Sequence, residues 1–237
     1  MSSNEVTAKA MLFDMDGTLL DSTPAVLAVW THFASEYNLD LSEVLRTSHG
    51  VRTVDNMKRW CGISDEAELQ AATELFETMI VTEAKRLQDA GERGLEILPG
   101  VQDFLETLRG LTYPAWAIVT SATGKYASAA LPTAGIVAPP HLITADDVTR
   151  GKPFPEPYLK GAELVNVDIK DCIVVEDAPS GIRSGVASGA RVLAVCTSHA
   201  RKEIENLGAT WIVEDLSRVT ASGADGHFTL VIDTSSS

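Results

Sequence analysis

Short apolar runs that alternate with helical stretches constrain the fold of this chain more than any other feature of its sequence. The runs are rich in β-branched and apolar residues and are bounded by turn residues, as strands are. They cover residues 9–13, 116–120, 141–144, 172–175 and 192–196. Strands separated by helices build a parallel sheet with helices on both faces. We therefore predict an α/β, Rossmann-like core whose ligands bind at the carboxyl ends of the strands.

The segment from residue 24 to about residue 94 has no strand pattern, and its apolar residues repeat at helical spacing. Its clearest helix is predicted over residues 65–90, with Ser64 as the N-cap. Two connections, at residues 20–24 and 91–99, would join this segment to the core as a hinged lid is joined. We predict an all-helical cap domain at 23–94, a core formed by 1–22 and 95–237, and an edge strand at 227–233.

Composition and charge restrict the possible partners. The chain has 237 residues, of which 45% are hydrophobic and 22% charged, as in globular proteins. An apolar run of about 18 residues, which a membrane span needs, is not evident, and neither is a targeting signal, so we expect a cytoplasmic protein. The net charge of −14, with scattered lysines and arginines, argues against nucleic acid as a partner. A small anionic substrate bound by a monomer or a weak homo-oligomer is the expectation that remains.

Asp14 and Asp16 directly follow the first predicted strand, in the run L-F-D-M-D-G-T-L-L-D of residues 12–21. In an extended segment the side chains at i and i+2 project to the same side, so both carboxylates can face one reaction centre while Met15 points into packing. Gly17 then lets the backbone turn. One carboxylate can attack phosphorus and the other can move the proton of the leaving or attacking oxygen. This pattern predicts phosphoryl-transfer chemistry.

Three further segments offer the remaining parts of such a site. Ser121 follows the second predicted strand and, with the N–H groups at a helix start, suits a phosphate oxygen. Lys152 lies between a glycine and a proline, where its ammonium can neutralise a nucleophilic carboxylate and phosphoryl charge. Glu176 and Asp177 end another strand. Acidic groups that converge in this way need a hard divalent cation, and we predict Mg²⁺.

Together these segments resemble the four motifs of the haloacid dehalogenase-like superfamily, in the subgroup with a helical cap after the first motif. Residues 48–53 (S-H-G-V-R-T), 143–148 (I-T-A-D-D-V), 151–158 (G-K-P-F-P-E-P-Y) and 175–182 (V-E-D-A-P-S-G-I) are similar to the small sugar and polyol phosphate phosphatases. Among those, the chain resembles the phosphatases of 2-deoxyglucose 6-phosphate and of glycerol 3-phosphate. The resemblance spans nearly the whole chain.

The resemblance implies a role for individual residues. Asp14 would be the nucleophile and Asp16 the general acid and base, with Ser121 and Lys152 positioning the phosphate. The metal site that it implies consists of Asp14, the backbone carbonyl of Asp16, Asp177, and Glu176 close to the ion through water. The substrate-binding residues would be Gly17, Thr18, His49, Arg52 and Ala122. The implied reaction is Mg²⁺-dependent hydrolysis of a small sugar or polyol phosphate through an aspartyl phosphate.

Two other functions remain as alternatives. A sugar phosphomutase of the β-phosphoglucomutase type shares all four motifs, but the resemblance places a histidine where this chain has Val26. A phosphosugar-binding protein that had lost catalysis would lack at least one of Asp14, Asp16, Lys152 and Asp177, and this chain keeps all four. The dehalogenase reaction is disfavoured because dehalogenases of the superfamily lack the second aspartate.

Overall fold

The computed structural model describes residues 3–110, 116–137, 139, 141–224 and 226–235. The strands in this part of the chain are β1 (Ser3–Ala8), β2 (Ala10–Phe13), β3 (Leu20–Asp21), β4 (Glu96–Ile97), β5 (Trp116–Val119), β6 (Leu142–Ile143), β7 (Cys172–Glu176), β8 (Arg191–Val195), β9 (Trp211–Val213), β10 (Val219–Ala224) and β11 (His227–Asp233). The α-helices are α1 (Thr23–Tyr37), α2 (Leu41–Ser48), α3 (Thr53–Asn56), α4 (Glu66–Asp89), α5 (Val101–Gly110), α6 (Gly124–Thr133), α7 (Glu156–Leu164), α8 (Pro179–Ser188) and α9 (Arg201–Ile204).

A six-stranded parallel sheet forms the core, in the order β6-β5-β2-β7-β8-β9. The five predicted strands are all in this sheet, and their observed bounds differ from the predicted ones by one or two residues. Within this sheet, β9 is the strand that the sequence pattern does not predict. The predicted α/β class with a parallel sheet is therefore confirmed.

The central strand β2 is completely buried, and its side chains alternate between the two faces of the sheet. Met11 and Phe13 belong to the core cluster on one face, which includes residues of α5 and α6. Ala10 and Leu12 belong to the cluster on the other face, with buried residues of α7 and α8. Helices thus cover both faces, as expected for a parallel sheet.

Helices α1 to α4 lie between β3 and β4, and these two short strands pair antiparallel with Leu20 opposite Ile97. The chain therefore leaves the core and returns to it through adjacent strands. α4 begins after Asp65, whose carboxylate accepts a hydrogen bond of 2.9 Å from the N–H of Glu68. The predicted N-cap Ser64 is wrong by one residue, because the aspartate side chain satisfies the free N–H of the first turn.

The predicted edge strand at 227–233 is also wrong in its place in the fold. β11 is the central strand of a three-stranded antiparallel sheet in the order β1-β11-β10, so both of its edges are paired. Its alternating pattern arises because Phe228, Leu230 and Ile232 are buried on one face. Among the helices that the structure describes, none combines the length and the apolar character needed to cross a membrane.

Candidate active site

The register of the sheet brings the predicted catalytic segments to one level. Phe13 of β2 lies opposite Ile118 of β5 and Val175 of β7. Asp14, the residues that follow Val119, and Glu176 with Asp177 therefore leave the sheet side by side at its carboxyl edge. This is the edge at which parallel α/β sheets bind their ligands.

Three buried carboxylates form a compact cluster at this edge. The side-chain oxygens of Asp14, Glu176 and Asp177 include one from each residue that lie within 4.8 Å of one another. Each of the three residues is at most 3% exposed. Carboxylates that are this close together and excluded from solvent repel one another unless cations lie among them.

Lys152 supplies one of these cations. Its fully buried ammonium donates a hydrogen bond to Oδ1 of Asp14 and another, of 2.7 Å, to Oε1 of Glu176. Burial alone would lower the pKa of Lys152, but the charges of Asp14 and Glu176 outweigh it and raise the pKa. The lysine is therefore protonated at neutral pH.

The carboxylate of Glu176 is held by four donors. Oε1 accepts from Lys152 and, at 2.7 Å, from the hydroxyl of Tyr158. Oε2 accepts from the backbone N–H groups of Asp177 and Ala178, at 3.0 and 3.1 Å. Gly181 leaves the room that this carboxylate needs, since a Cβ there would lie 1.6 Å from Oε1. The geometry makes Glu176 a rigid anchor for Lys152.

Asp177 is held by one residue of the core and one of the helical insertion. Its Oδ1 accepts a hydrogen bond of 2.8 Å from the Thr18 hydroxyl, and its Oδ2 lies 2.8 Å from Nε2 of His49. Burial lowers the pKa of the His49 imidazole, but the charge of Asp177 and its hydrogen bond outweigh burial and raise the pKa to about 9. His49 is therefore a second cation at neutral pH, and it donates to Asp177.

Burial also sets the protonation behaviour of the two candidate catalytic aspartates. In the absence of a metal ion, desolvation raises the pKa of Asp14 despite the opposing charge of Lys152. Desolvation raises the pKa of Asp16 as well, against the neighbouring hydroxyls of Ser22 and of Tyr126, the latter donating a hydrogen bond of 2.9 Å to its Oδ1. A raised pKa makes a carboxyl group a better proton carrier than an exposed carboxylate.

A loop of the insertion covers the site. The hydroxyl of Ser121 donates a hydrogen bond of 2.9 Å to the carbonyl of Gly50, and the hydroxyl of Ser180 donates one of 3.3 Å to the carbonyl of His49. Gly50 has a φ of +74°, and a Cβ there would lie 2.7 Å from the Cβ of Ala178. The insertion is therefore closed onto the core at residues 49–50.

A cavity of about 330 Å³ adjoins the carboxylates, between the insertion and the core. Asp14, Asp16 and Ser121 contribute to its wall on the core side. The insertion contributes apolar side chains and several polar ones: Val26, Leu27, Trp30, Leu45, Val51, Phe76 and Ile80, with Thr23, Ser48, His49, Thr53, Asn56 and Glu77. The cavity therefore offers an apolar wall with interspersed hydrogen-bonding groups next to the candidate nucleophile.

The five predicted substrate-binding residues divide into two groups. His49 and Ala122 line the cavity. Gly17, Thr18 and Arg52 do not belong to the lining that the structure describes. Thr18 is instead bound to Asp177, and a Cβ on Gly17 would lie 2.3 Å from Oδ2 of Asp177. Their contact with a substrate stays a prediction.

Arg52 is engaged by other groups of the protein. Its guanidinium donates to the Asp55 carboxylate at 2.7 and 3.2 Å and to the carbonyl of Val148 at 3.2 Å. It therefore ties the insertion to the core loop that leads to Lys152. The side chain of Arg52 also packs against Gly151. A Cβ added to Gly151 would lie 2.7 Å from the Cγ, Cδ and Nε atoms of Arg52.

Several residues that sequence reasoning did not single out contribute to the site. They are Tyr158 on Glu176, Tyr126 on Asp16, the cavity residue Glu77, and Ser198 and His199, which also line the cavity. A tyrosine or glutamate at helical spacing has no local signal that separates a surface position from a buried one. For Tyr126 the nearest signal is its position five residues after Ser121 in a helix that starts at the site.

The donor set fits a hard divalent cation. Asp14, Glu176 and Asp177 offer carboxylate oxygens, which Mg²⁺ prefers, and histidine or thiol ligands are not part of the cluster found among the described residues. Two cations, Lys152 and His49, oppose these three carboxylates. Next to such a cation, a carboxylate at Asp14 and a proton carrier at Asp16 can perform phosphoryl transfer.

Comparison with known proteins also points to hydrolysis of phosphate esters. The model of a family of hydrolases, described as haloacid dehalogenase-like hydrolase, matches residues 8–189. The chain is similar to hexitol phosphatase A of Escherichia coli K12, with 40% identity over 187 residues that cover 79% of this chain and 82% of that protein.

Two yeast proteins are similar over more of the chain. Glycerol-1-phosphate phosphohydrolase 2 of Saccharomyces cerevisiae is 33% identical over 222 residues, which cover 90% of this chain and 85% of the relative. 2-Deoxyglucose-6-phosphate phosphatase 1 of the same yeast is 31% identical over 232 residues, which cover 91% of each. The resemblance to sugar and polyol phosphate phosphatases that the motifs indicate is confirmed.

Proposed function

The chain belongs to the family of haloacid dehalogenase-like hydrolases, and from this membership we propose that it is a Mg²⁺-dependent phosphatase of small sugar or polyol phosphates. The single observation that carries the proposal is the position of Lys152. Its buried ammonium lies between the carboxylates of Asp14 and Glu176, and Asp14 in turn lines a cavity that can hold a small ester. A nucleophilic carboxylate next to a fixed cation is the arrangement that phosphoryl transfer requires.

In the proposed first step, Asp14 attacks phosphorus in line with the leaving oxygen and an aspartyl phosphate forms. The P–O bond to the sugar or polyol breaks as Asp16 gives its proton to the departing alkoxide. Lys152 neutralises charge on the phosphoryl oxygens, and Ser121 exchanges its bond to the Gly50 carbonyl for a phosphate oxygen. Proton transfer of this kind contributes roughly 10²- to 10⁴-fold in rate.

In the proposed second step, Asp16 takes a proton from a water molecule that attacks the phosphorus of the aspartyl phosphate. The acyl-phosphate bond breaks, inorganic phosphate leaves, and Asp14 returns as a carboxylate. Closure of the cap at residues 49–50 excludes other water from the site.

The side chains of Asp14 and Asp177 and the backbone carbonyl of Asp16 would hold the Mg²⁺, with Glu176 close to it. The ion supplies charge neutralisation for the phosphoryl group and for the nucleophile. Thr18 and Gly17 serve this arrangement by orienting Asp177 and by leaving it room.

The cavity supports a small polyhydroxylated substrate. Its hydroxyl, amide, imidazole and carboxyl side chains can exchange hydrogen bonds with sugar or polyol hydroxyls, and its apolar wall can pack on the carbon chain. Three relatives are named for hexitol, glycerol-1-phosphate and 2-deoxyglucose-6-phosphate substrates. Val26 places an apolar side chain in this wall where a mutase-type histidine is expected, which favours hydrolysis over transfer to a second hydroxyl.

Phosphate release from a panel of esters tests the proposal. The panel comprises hexitol phosphates, 2-deoxyglucose 6-phosphate and both glycerol phosphates, each assayed with Mg²⁺ and with a chelator. We expect Mg²⁺-dependent release from at least one of these esters, with no need for a sugar bisphosphate. Complete inertness toward the panel, or a requirement for a bisphosphate activator, would contradict it.

A further inference from the structure

The candidate acid and base Asp16 is held by a residue of a neighbouring helix. The hydroxyl of Tyr126 donates a hydrogen bond of 2.9 Å to Oδ1 of Asp16. Tyr126 is 4% exposed, and Asp16 is half-buried at the wall of the cavity. Because Tyr126 lies 110 residues away in sequence, this contact depends on the placement of α6 and not on the local chain.

The first turn of α6 positions Tyr126. Thr123 is the N-cap of this helix, and its hydroxyl oxygen accepts a hydrogen bond of 3.3 Å from the N–H of Tyr126. A helix N-cap fixes the backbone of the first turn, which here carries the phenol ring toward Asp16.

The cap domain, in turn, holds Thr123. Glu77 of the cap helix α4 is 5% exposed, and its carboxylate accepts hydrogen bonds from both the hydroxyl and the backbone N–H of Thr123. It also accepts one of 2.9 Å from the hydroxyl of Thr53 in the cap. A continuous set of hydrogen bonds thus runs from the cap through Glu77 and Thr123 to Tyr126 and Asp16.

We propose that Tyr126 is a positioning residue that holds Asp16 in its catalytic orientation, and that Glu77 makes this orientation depend on the closed cap. The inference rests on the proposed function of Asp16 as acid and base. With Oδ1 occupied by the phenol, Oδ2 is the oxygen that gives a proton to the leaving alkoxide and later takes one from water. Without Tyr126 the carboxyl group keeps only the neighbouring Ser22 hydroxyl as a partner, so it is held less firmly and fewer encounters place a proton-bearing oxygen at the ester.

Replacing Tyr126 by phenylalanine removes only the hydroxyl that contacts Asp16. With the best ester of the panel, we expect Tyr126→Phe to lower kcat about 10-fold and to leave KM within about twofold, because the hydrogen bond acts on proton transfer. Tyr37→Phe is the matched control, since Tyr37 lies on α1 and stacks on Phe33 outside the cavity lining. Its kcat should equal that of the wild type.

A second substrate separates positioning from structural damage. p-Nitrophenyl phosphate has a leaving group that needs no proton, so its single-turnover release of p-nitrophenol in Tyr126→Phe should be within about twofold of wild type. If α6 merely collapsed and displaced Ser121, this release would fall together with kcat on the alkyl ester. Equal losses with both substrates would overturn the proposal.

A double-mutant cycle tests the part that Glu77 plays. Glu77→Gln should lower kcat on the alkyl ester by about as much as Tyr126→Phe, and the double variant should lose no more than either single variant. Glu74→Gln is the control, because Glu74 also pairs across the two domains, with Lys125, but at the exposed surface. Independent, multiplicative losses would overturn the link between the cap and Asp16.

Failure of this proposal is distinguishable from failure of the proposed function. A wild-type enzyme that hydrolyses no ester of the panel contradicts the function itself. An active wild type whose kcat is unchanged in Tyr126→Phe contradicts only the positioning role.

Discussion

The imidazole of His49 in the cap donates a hydrogen bond of 2.8 Å to the carboxylate of Asp177 in the core. Asp177 is fully buried, and the imidazole is 21% exposed at the cavity wall. This contact links closure of the cap to the charge of the carboxylate cluster. A protonated His49 and a divalent cation both neutralise Asp177, so they are expected to compete for it.

Removal of the imidazole should strengthen the binding of Mg²⁺. In His49→Ala, Asp177 loses a charge-assisted hydrogen bond that contributes about 1.5–3 kcal/mol, so the Kd for Mg²⁺ should fall by roughly tenfold or more. Isothermal titration calorimetry of the substrate-free protein at pH 7 measures this Kd. His32→Ala serves as the control because His32 is exposed and contacts only Glu36 among charged groups of the described chain. Weaker binding in His49→Ala would contradict the competition.

The same contact should give the metal-free protein a defined dependence on pH. The pKa of His49 rises from 6.5 to about 9 on folding, so its contribution to stability is fully present below pH 6.5 and is lost as pH rises through 9. In a chelator, the melting temperature of the wild type should exceed that of His49→Ala most at pH 6 and converge with it above pH 9. Each kcal/mol of unfolding free energy corresponds to a shift of roughly 2–4 °C in the melting temperature. A difference that grows with pH would contradict the assignment of charge.

Lys152 should be essential for both stability and activity. In Lys152→Met the buried carboxylates of Asp14 and Glu176 lose their shared cation, which should cost about 3–5 kcal/mol in the metal-free protein. Urea denaturation in chelator measures this free energy, and kcat should fall by about 10²- to 10³-fold. Lys160→Met, at an exposed position of α7, should change the free energy of unfolding by no more than about 0.5 kcal/mol. A stable and active Lys152→Met would remove the basis of the site.

Gly181 should be intolerant of a side chain. In Gly181→Ala the added Cβ would lie 1.6 Å from Oε1 of Glu176, so the carboxylate must leave Lys152 or α8 must shift. We expect a loss of roughly 1–3 kcal/mol in unfolding free energy and a lower kcat. Gly110→Ala, where a Cβ meets nothing within 4 Å, should be neutral or slightly stabilising. Wild-type kcat in Gly181→Ala would show that the position of Glu176 does not matter.

The parts of the site that follow strands could be predicted from the sequence. A strand that ends in carboxylates gives a local signal, and the register of a parallel sheet then brings Asp14, Glu176 and Asp177 together. The two crossings of the cap likewise follow from turn residues, although the pairing of β3 with β4 at those crossings has no signal in the sequence pattern. These features depend on short stretches of chain whose pattern can be recognised.

The parts that depend on tertiary packing could not be predicted. Tyr126 and Glu77 lie on helices: the placement of α6 brings Tyr126 to Asp16, and the packing of α4 on α6 brings Glu77 to Thr123. Arg52 has the chemistry to bind a phosphate, but it contacts Asp55, three residues along the same helix start. The central position of β11 depends on pairing with β1, more than 200 residues away, which the alternation within β11 does not reveal.

The most direct test is to look for the phosphoryl group on Asp14 itself. Wild-type enzyme and Asp16→Asn are mixed with Mg²⁺ and p-nitrophenyl phosphate, whose leaving group needs no proton from Asp16, quenched in acid within one turnover, and mapped by mass spectrometry. We predict an acid-stable, hydroxylamine-sensitive phosphoryl group on the peptide that contains Asp14, accumulating in Asp16→Asn and absent from Asp14→Asn, which should be inactive. Phosphate release by Asp14→Asn at the wild-type rate, or a label on another residue, would contradict the account.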